Sequence, residues 1–310
     1  MATPLISENF ADVLEPGLAE VVVDAYAPLP QMRTSLFRVV PMETSYYKTS
    51  SIGGLGDFEV HNGKVNYDTL YQQFDVRFNP VPFSKGLEIE RELLDDDLYN
   101  VIIDRAENMG IAAWRTFEKY AASVFNNAFT GTGTVTVGSI NVQVNTEGDS
   151  LCSTTHTLGA QDTGTTQSNS GTLALSPTNV ETTRRNMRKF RDDRNEKVSI
   201  SPDTLVVPID LEETGWTIIS SAGKVDSAEN NGNFHYGRYN LGVWDYIEST
   251  KQWFMCDSVM MKKELLWLDR IALEFAKDRQ FDNFTARFAG YARFAFGWKD
   301  WRWIYGQNPA

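Results

Sequence analysis

The chain of 310 residues is poor in several residue types, and each shortage argues against a class of function. None of its three histidines has the H-x-x-x-H or H-E-x-x-H spacing that puts two ligands on one helical face, so we predict no metal site. Its two cysteines, Cys152 and Cys256, lie far apart, which favours two free thiols and leaves one disulfide as the alternative. No apolar run approaches about 18 residues, and no basic-apolar signal pattern opens the sequence, so we expect neither a membrane span nor secretion.

Patterns of catalytic residues are also missing. The run Gly53-Gly54-Leu55-Gly56 is not followed by Gly-Lys-Ser/Thr or by a helix, so it is not a phosphate-binding loop. There is no G-x-S-x-G turn and no Cys/His pair at a known spacing. Asp95, Asp96 and Asp97 could attract a cation, but at a predicted helix start they favour the helix dipole instead. We therefore predict no enzymatic activity and no cofactor.

The charge balance argues against a nucleic-acid-binding protein. The formal net charge is −12, whereas affinity for phosphates comes from clustered Lys and Arg. One basic helix face is predicted between residues 184 and 194, and nearby acids nearly cancel it. We interpret that helix as solvated or facing another subunit.

A single long helix dominates the pattern of apolar residues. Between residues 87 and 130, and chiefly from residue 94 onward, apolar side chains recur every three or four positions. A helix of about 35 residues would span roughly 50 Å. Two interpretations are open: a core helix of an ordinary α+β protein, or a strut that braces a flat subunit. The predicted core face consists of Leu94, Leu98, Val101, Phe117 and Val124, and the charged residues Asp104, Glu107, Arg115, Glu118 and Lys119 are predicted on the other faces.

An extended hairpin is predicted just before this helix. Asn62-Gly63 is a strong turn signal, and residues 74–78 alternate between apolar and polar side chains. Because two strands alone are marginal in water, the hairpin must lie on the rest of the fold or on a neighbouring molecule. The residues predicted to make that contact are Phe58, Val60, His61, Asn62, Gly63, Lys64 and Val65.

The remaining segments predict a mixed α+β chain. Residues 131–174 are rich in Thr, Gly and Ser, which is typical of a surface region. Residues 175–260 alternate helix and strand as in an α/β unit, with Ser176 and Asp210 as predicted helix caps. Residues 261–310 return to β structure with a bulge at Gly290. Three tryptophans, Trp298, Trp301 and Trp303, are predicted to dock under the long helix.

Three stretches, together with the order of the segments, resemble the major capsid proteins of tailed bacteriophages, which share the Hong Kong 97 fold. The stretches are KGLEIERELLDDDLY at 85–99, NNAF at 126–129 and RFAFGWKDWRWIYG at 293–306. The likeness is strongest to the Mu-like major head subunits. It implies an N-arm at 1–45, domain entry and E-loop hairpin at 46–86, a P-domain spine helix at 87–130, an A-domain at 175–260 and a return to the P-domain at 261–310.

The resemblance also implies a function. The chain would assemble with itself into pentamers and hexamers of an icosahedral head, formed in the host cytoplasm and enclosing double-stranded DNA without binding it specifically. Scaffolding, portal and decoration proteins are possible partners, and a membrane is not. One alternative is an encapsulin-like compartment shell. Another, of a different class, is an acidic, aromatic-rich enzyme or carbohydrate-binding protein with an unrecognised site.

Overall fold

A computed structural model describes residues 25–26, 29–65, 67–90, 92, 101–162, 164–223, 232–279 and 285–310. The helices are α1 (Met32–Leu36), α2 (Val101–Asn126), α3 (Pro177–Met187), α4 (Glu212–Ser220) and α5 (Ser258–Glu264), with a 3-10 turn at Ile209–Leu211. The strands are β1 (Arg38–Pro41), β2 (Tyr47–Ile52), β3 (Gln72–Phe78), β4 (Val81–Ile89), β5 (Thr134–Val137), β6 (Ile140–Asn145), β7 (His156–Thr157), β8 (Thr166–Gln167), β9 (Ser170–Gly171), β10 (Thr204–Val207), β11 (Asn240–Val243), β12 (Trp253–Cys256), β13 (Leu265–Arg279), β14 (Ala286–Trp298) and β15 (Ile304–Gln307).

The long helix α2 packs on a sheet with the strand order β1-β13-β14-β4. Phe294 of β14 lies at the centre of the contact. Its ring stacks on Phe83 at 4.4 Å and on Trp267 at 4.5 Å, and it meets the edge of Phe117 of α2 at 5.2 Å. Aromatic pairs of this geometry add about 0.5–1.5 kcal/mol each beyond the area they bury. The helix and the two long strands therefore form one core.

The predicted start of the long helix was wrong. Residues 87–89, assigned to the helix, belong to β4, which pairs with β14 from Val81↔Phe294 to Ile89↔Ala286. The apolar residues there also fit a strand, and the partner strand decides between the two periods. Residues 81–86, the last part of the segment predicted as domain entry and E-loop hairpin, lie in this same strand.

Glu118 was predicted on a polar face of the helix. This was also wrong, because Glu118 is buried and only 2% exposed. Its carboxylate accepts hydrogen bonds from the Arg33 backbone N–H at 3.1 Å and from Trp244 Nε1 at 3.1 Å. Burial raises the pKa of Glu118, and these hydrogen bonds oppose that rise. The carboxylate thus ties α1 and the segment after β11 to the middle of α2.

The α/β unit contains a five-stranded sheet with the order β11-β10-β12-β15-β9. The prediction confined this unit to residues 175–260, yet two of its strands come from outside that range. β15 pairs with β12 antiparallel and with β9 parallel. All four residues of β10 and all four of β12 are buried, which is typical of strands with continuous apolar runs.

The Thr/Gly/Ser-rich region at 131–174 is more than a surface region. Strands β5 and β6 join β2 and β3 in a sheet of order β2-β3-β6-β5, and Val142 and Leu151 are fully buried. Gln143 of β6 binds the end of β14: its Nε2 donates to the Trp298 carbonyl at 2.9 Å, and its Oε1 accepts from the Trp298 N–H at 2.8 Å. Gly297 adopts φ +145°, and a Cβ there would collide with Gln143.

Two local predictions failed and one is confirmed. Ser176 caps α3 as predicted, accepting from the Asn179 N–H, with Pro177 at the first helical position. Asp210 is not the cap of α4, because the 3-10 turn shifts the helix start so that Leu211 occupies the cap. Gly290 is not a bulge. It pairs regularly with Phe275, whose ring lies where a Cβ would be, and the register shifts are in β13.

Candidate functional site

The residues predicted to contact a neighbour lie in one loop, residues 53–71, between β2 and β3. The antiparallel pairing of β2 with β3 forms the two legs of the predicted hairpin, but in the described part of the loop no strand extends beyond Ile52 and Gln72. Residues 62–64 form a bend, with Gly63 at φ +88°, which a glycine adopts without strain. The strand pairing is therefore shorter than predicted, and the Asn-Gly pair lies in a bend that no described strand pair flanks.

The loop exposes an unusual amount of apolar side chain. Phe58 is fully exposed, and the other members of the set are all more than half exposed. The set comprises Ile52, Leu55, Phe58, Val60, Val65, Tyr67, Leu70 and Tyr71. Large apolar side chains left exposed together in one segment are typical of a site of association. Of the other residues predicted to contact a neighbour, His61, Asn62, Gly63 and Lys64 are exposed as well.

The base of the loop is held by a turn at residues 192–195, directly after α3. Arg194 donates from Nε to the Gly54 carbonyl at 2.7 Å, from one terminal nitrogen to Asp68 at 3.1 Å and from the other to the Thr69 carbonyl at 2.8 Å. One guanidinium thus binds both legs of the loop. The planar guanidinium has N–H donors that point in different directions, so one side chain can make all three hydrogen bonds at once.

Asp193 completes this base. Its carboxylate accepts from the Gly54 N–H at 3.0 Å and from Gln73 Nε2 at 3.2 Å, while Gln73 Oε1 accepts from the Ala160 N–H at 2.7 Å. A Cβ on Gly53 would collide with Asp193, so the close approach requires glycine there. We call Arg194, Asp193 and Gln73 the loop clamp. The basic face was predicted on a helix that reaches residue 194. This was wrong, because α3 ends at Met187 and Arg194 lies beyond it, in the turn that contacts the loop.

A second set of polar contacts stiffens the legs. Lys48 of β2 and Asp75 of β3 form an ion pair at 2.7 Å, and Asp75 also accepts from Ser50 and Gln72. The hydrogen bonds from Lys48, Ser50 and Gln72 lower the pKa of Asp75 to about 2. The clamp and the strand legs hold the base of the loop, and the exposed apolar residues follow beyond it.

The predicted core residues of the long helix divide into two groups. Phe117 and Val124 are buried. Leu94 and Leu98 lie outside the described residues, as does the side chain of Val101. The predicted N-arm at 1–45 is described only from residue 25 onward, and the predicted helix at 16–27 only at residues 25 and 26.

The three C-terminal tryptophans are buried, and Trp303 packs against the long helix. Trp303 meets Phe125 of α2 edge to face at 6.1 Å. Trp301 instead stacks on His156 at 4.2 Å and meets Phe190 at 5.0 Å. Trp298 is held by Gln143 through its backbone. The tryptophan run therefore contacts elements of several sheets, a broader role than the predicted docking under one helix.

One group of three metal-ligand side chains occurs among the described residues, and histidine spacing did not indicate it. His156 Nδ1 lies 2.8 Å from Glu147 Oε1 and 3.9 Å from Asp149 Oδ2. His156 Nε2 lies 3.3 Å from the Leu151 carbonyl, and the ring is stacked on Trp301. These contacts form a buried His–Glu pair that anchors the loop before β7.

Among the described residues, no other side chains considered in the sequence analysis form a site for chemistry. Cys152 and Cys256 are both free and buried, and burial raises the pKa of each thiol far above its usual range. Among the described helices, none is long and apolar enough to cross a membrane. Within this part of the chain, the exposed loop and its clamp are the feature that an ordinary self-contained core does not explain.

The fold is similar to that of several capsid structures. The procapsid of bacteriophage JBD30 gives a TM-score of 0.54 at 14% identity, covering 98% of this chain and 77% of that one. The capsid of cyanophage P-SCSP1u gives 0.60 at 10% identity, with 91% and 88% covered. A virus-like particle from Pyrococcus furiosus gives 0.53 at 10% identity, with 95% and 99% covered. At these identities, the likeness shows the fold.

The family assignment comes from the sequence. No curated protein matches it. The family model described as phage capsid protein matches residues 74–306, which is more than half of the chain and includes α2, the α/β unit and the strands β13 to β15. The chain therefore belongs to the phage capsid protein family, as a structural shell protein of the virion and not an enzyme.

Proposed function

We propose that this chain is the major head subunit of a tailed phage with the Hong Kong 97 fold, nearest to the Mu-like head subunits. It assembles into pentamers and hexamers of an icosahedral shell in the host cytoplasm. In this proposal residues 46–86 contain the E-loop, α2 is the spine of the P-domain and the five-stranded sheet is the core of the A-domain. The N-arm covers residues 1–45.

The observation that carries the proposal is the apolar loop with a fixed base. A tip that exposes Phe58, Val60 and Tyr67 would cost stability or solubility in a monomer. The loop clamp orders the base of the loop before any contact is made, which lowers the entropy that binding must overcome. A neighbouring subunit that covers the tip removes its apolar surface from water, so the loop supports an inter-subunit role.

The electrostatics suit a container for DNA. With a net charge of −12 the chain repels phosphates overall, so packed double-stranded DNA is enclosed without being bound specifically. Scaffolding, portal and decoration proteins are further partners in this proposal. The family assignment favours a phage head over an encapsulin-like shell. An enzyme or carbohydrate-binding protein is not the function of this family.

The test is to shorten the loop above its clamp. Asp68 accepts from the Gly56 N–H at 2.7 Å, so the two legs are already in contact there and a link of four Gly/Ser residues can replace residues 58–67. The expected variant keeps the wild-type melting temperature and forms no closed shells by electron microscopy. A variant that closes into normal shells, or that fails to fold, would contradict the role of the loop.

A matched control separates the apolar side chains from the length of the loop. In the control, Phe58, Val60, Val65 and Tyr67 are replaced by Ser and the loop keeps its native length. If burial of the tip drives assembly, this variant also loses shells. If shells persist in the control and vanish in the shortened variant, the reach of the backbone is what matters, and the apolar contact is not the driving force.

A further inference from the structure

The α/β unit carries two helices side by side on one face of its sheet. α4 covers the β10–β11 end, where Gly215 lies against Leu241. α3 covers the β15 end, where Gln307 donates to Thr183 at 2.8 Å. Residues of both helices line the groove between them, including Glu181 and Glu213. Each helix therefore has one side toward the other helix and one side toward an outer edge of the unit.

The outer side of α4 is acidic and aromatic. Glu213 and Thr217 face the groove, so Glu212 and Trp216, one residue earlier in each case, are rotated toward the outer side. Trp216 is 60% exposed, and Ile209 and Asp210 of the preceding turn are exposed beside it. A large exposed indole bordered by carboxylates is the kind of residue that anchors protein interfaces. We call Ile209, Asp210, Glu212 and Trp216 the acidic edge.

The opposite edge of the unit is basic. A shallow surface beside α3 is lined by cationic side chains and by the apolar residues Val198 and Ile200. Arg184 and Arg185 are occupied by Glu181, at 2.7 and 2.6 Å. Arg188, Lys189 and Lys197 are exposed on this side, and Glu196, also exposed, offsets part of their charge. We call Arg188, Lys189 and Lys197 the basic edge.

We propose that the acidic edge of one copy docks on the basic edge of the next copy, and that this contact closes the ring of the capsomer. The inference rests on the proposed shell function and names the surfaces that it would use. A contact between two different surfaces of identical chains is heterologous, and such contacts form rings when the rotation closes. Opposite charges align the edges, and Trp216 supplies apolar area against the alkyl parts of Arg and Lys side chains.

A second copy fits this surface better than nucleic acid does. The chain has a net charge of −12, and Glu196 cancels part of the positive charge of the basic edge. The remaining positive surface is small for binding the phosphates of a nucleic acid. An acidic edge of matching size is present on every copy, in equal number to the basic edges. The mixed character of both edges, each with apolar residues beside its charges, is typical of protein interfaces.

The test is a charge exchange. One variant carries Arg188→Glu and Lys189→Glu, a second carries Asp210→Lys and Glu212→Lys, and a third carries all four substitutions. Each two-residue variant sets like charges against each other, so we expect the assembled fraction to fall about tenfold or more by sedimentation velocity. The four-residue variant restores opposite charges and should recover assembly. All three should stay folded with only a small fall in melting temperature, because the residues are exposed and the reversed charges at the ends of α3 and α4 cost about 0.3–1 kcal/mol each.

Mixing and control samples make the result specific. An equimolar mixture of the two-residue variants should recover even-numbered rings by native mass spectrometry, because each ring then alternates the two chains. The control exchanges Asp104→Lys and Arg105→Glu, which are exposed on α2, and should assemble normally.

Several outcomes would overturn this inference. It fails if either two-residue variant assembles as the wild type does, if the four-residue variant stays disassembled, or if the control is equally impaired. It also fails if reversing the basic edge abolishes retention on a DNA column and leaves assembly intact. Wild-type protein that never assembles contradicts the proposed shell function instead, which separates the two failures.

Discussion

Two regions of this subunit are both rich in aromatic and aliphatic residues. One region buries these side chains within the chain, and the other exposes them. Beneath α2, Phe117, Trp267 and Phe294 are buried on one another within a single chain. In the loop at 53–71, Phe58 and Tyr67 are exposed, and polar contacts hold only the base. Apolar content alone therefore does not distinguish a core from an interface. The position of the partner surface, in the same chain or in another copy, makes the difference.

The largest effect should come from placing the same charge in each region. Phe117→Asp buries a carboxylate without a partner at a cost of several kcal/mol, so we expect no soluble folded subunit. Phe58→Asp lies in solvent and should change the free energy of unfolding by less than about 0.5 kcal/mol while reducing assembly. Soluble expression, circular dichroism and light scattering measure the contrast. Equal loss of folding in both variants would erase the distinction between the regions.

A smaller effect is expected at the loop clamp. Arg194→Ala removes three hydrogen bonds from the base of the loop and should destabilise the unassembled subunit by about 1–2 kcal/mol. The loop should also be cleaved several times faster by a protease, because its base is no longer held. Arg38→Ala, at an exposed position on β1, is the matched control. Unchanged cleavage in Arg194→Ala would mean that the clamp does not order the loop.

The smallest effect concerns acid stability at α3. Hydrogen bonds from Arg184, together with those from Arg185, hold the pKa of Glu181 at about 2, below its usual 4.5. Stability from this depressed pKa is present above pH 4.5 and is lost as the pH falls toward 2. Glu181→Gln should remove that part of the acid dependence, about 1 kcal/mol for a partly exposed pair. Melting temperatures at pH 7 and pH 3 measure it, and identical slopes in both proteins would contradict it.

Much of the fold could be predicted because its signals are local. The helical period of α2, the Ser176-Pro177 start of α3 and the apolar runs of β10 and β12 all depend on neighbouring residues in the sequence. In each case the residues adjacent in the sequence determine the local backbone conformation, so the element can be predicted from one sequence.

The errors arose where distant parts of the chain meet. Residues 87–89 fit either period and became a strand because β14 lies beside them. Glu118 was placed on a polar face because nothing in α2 reveals that Trp244 and the Arg33 backbone supply donors. The loop clamp was missed for the same reason, since Arg194 and Gly54 are 140 positions apart. These contacts are products of the tertiary fold, and no local pattern encodes them.

The placement of β15 affects the order in which the subunit can be made. This strand lies between β12 and β9 in the five-stranded sheet, so the sheet has a gap until residues 304–307 have been synthesised. A nascent chain on the ribosome can form α2 and β4 long before it can complete the unit that carries both charged edges. Chains that stop early would thus lack a finished α/β unit, and translation itself would exclude them from a growing shell.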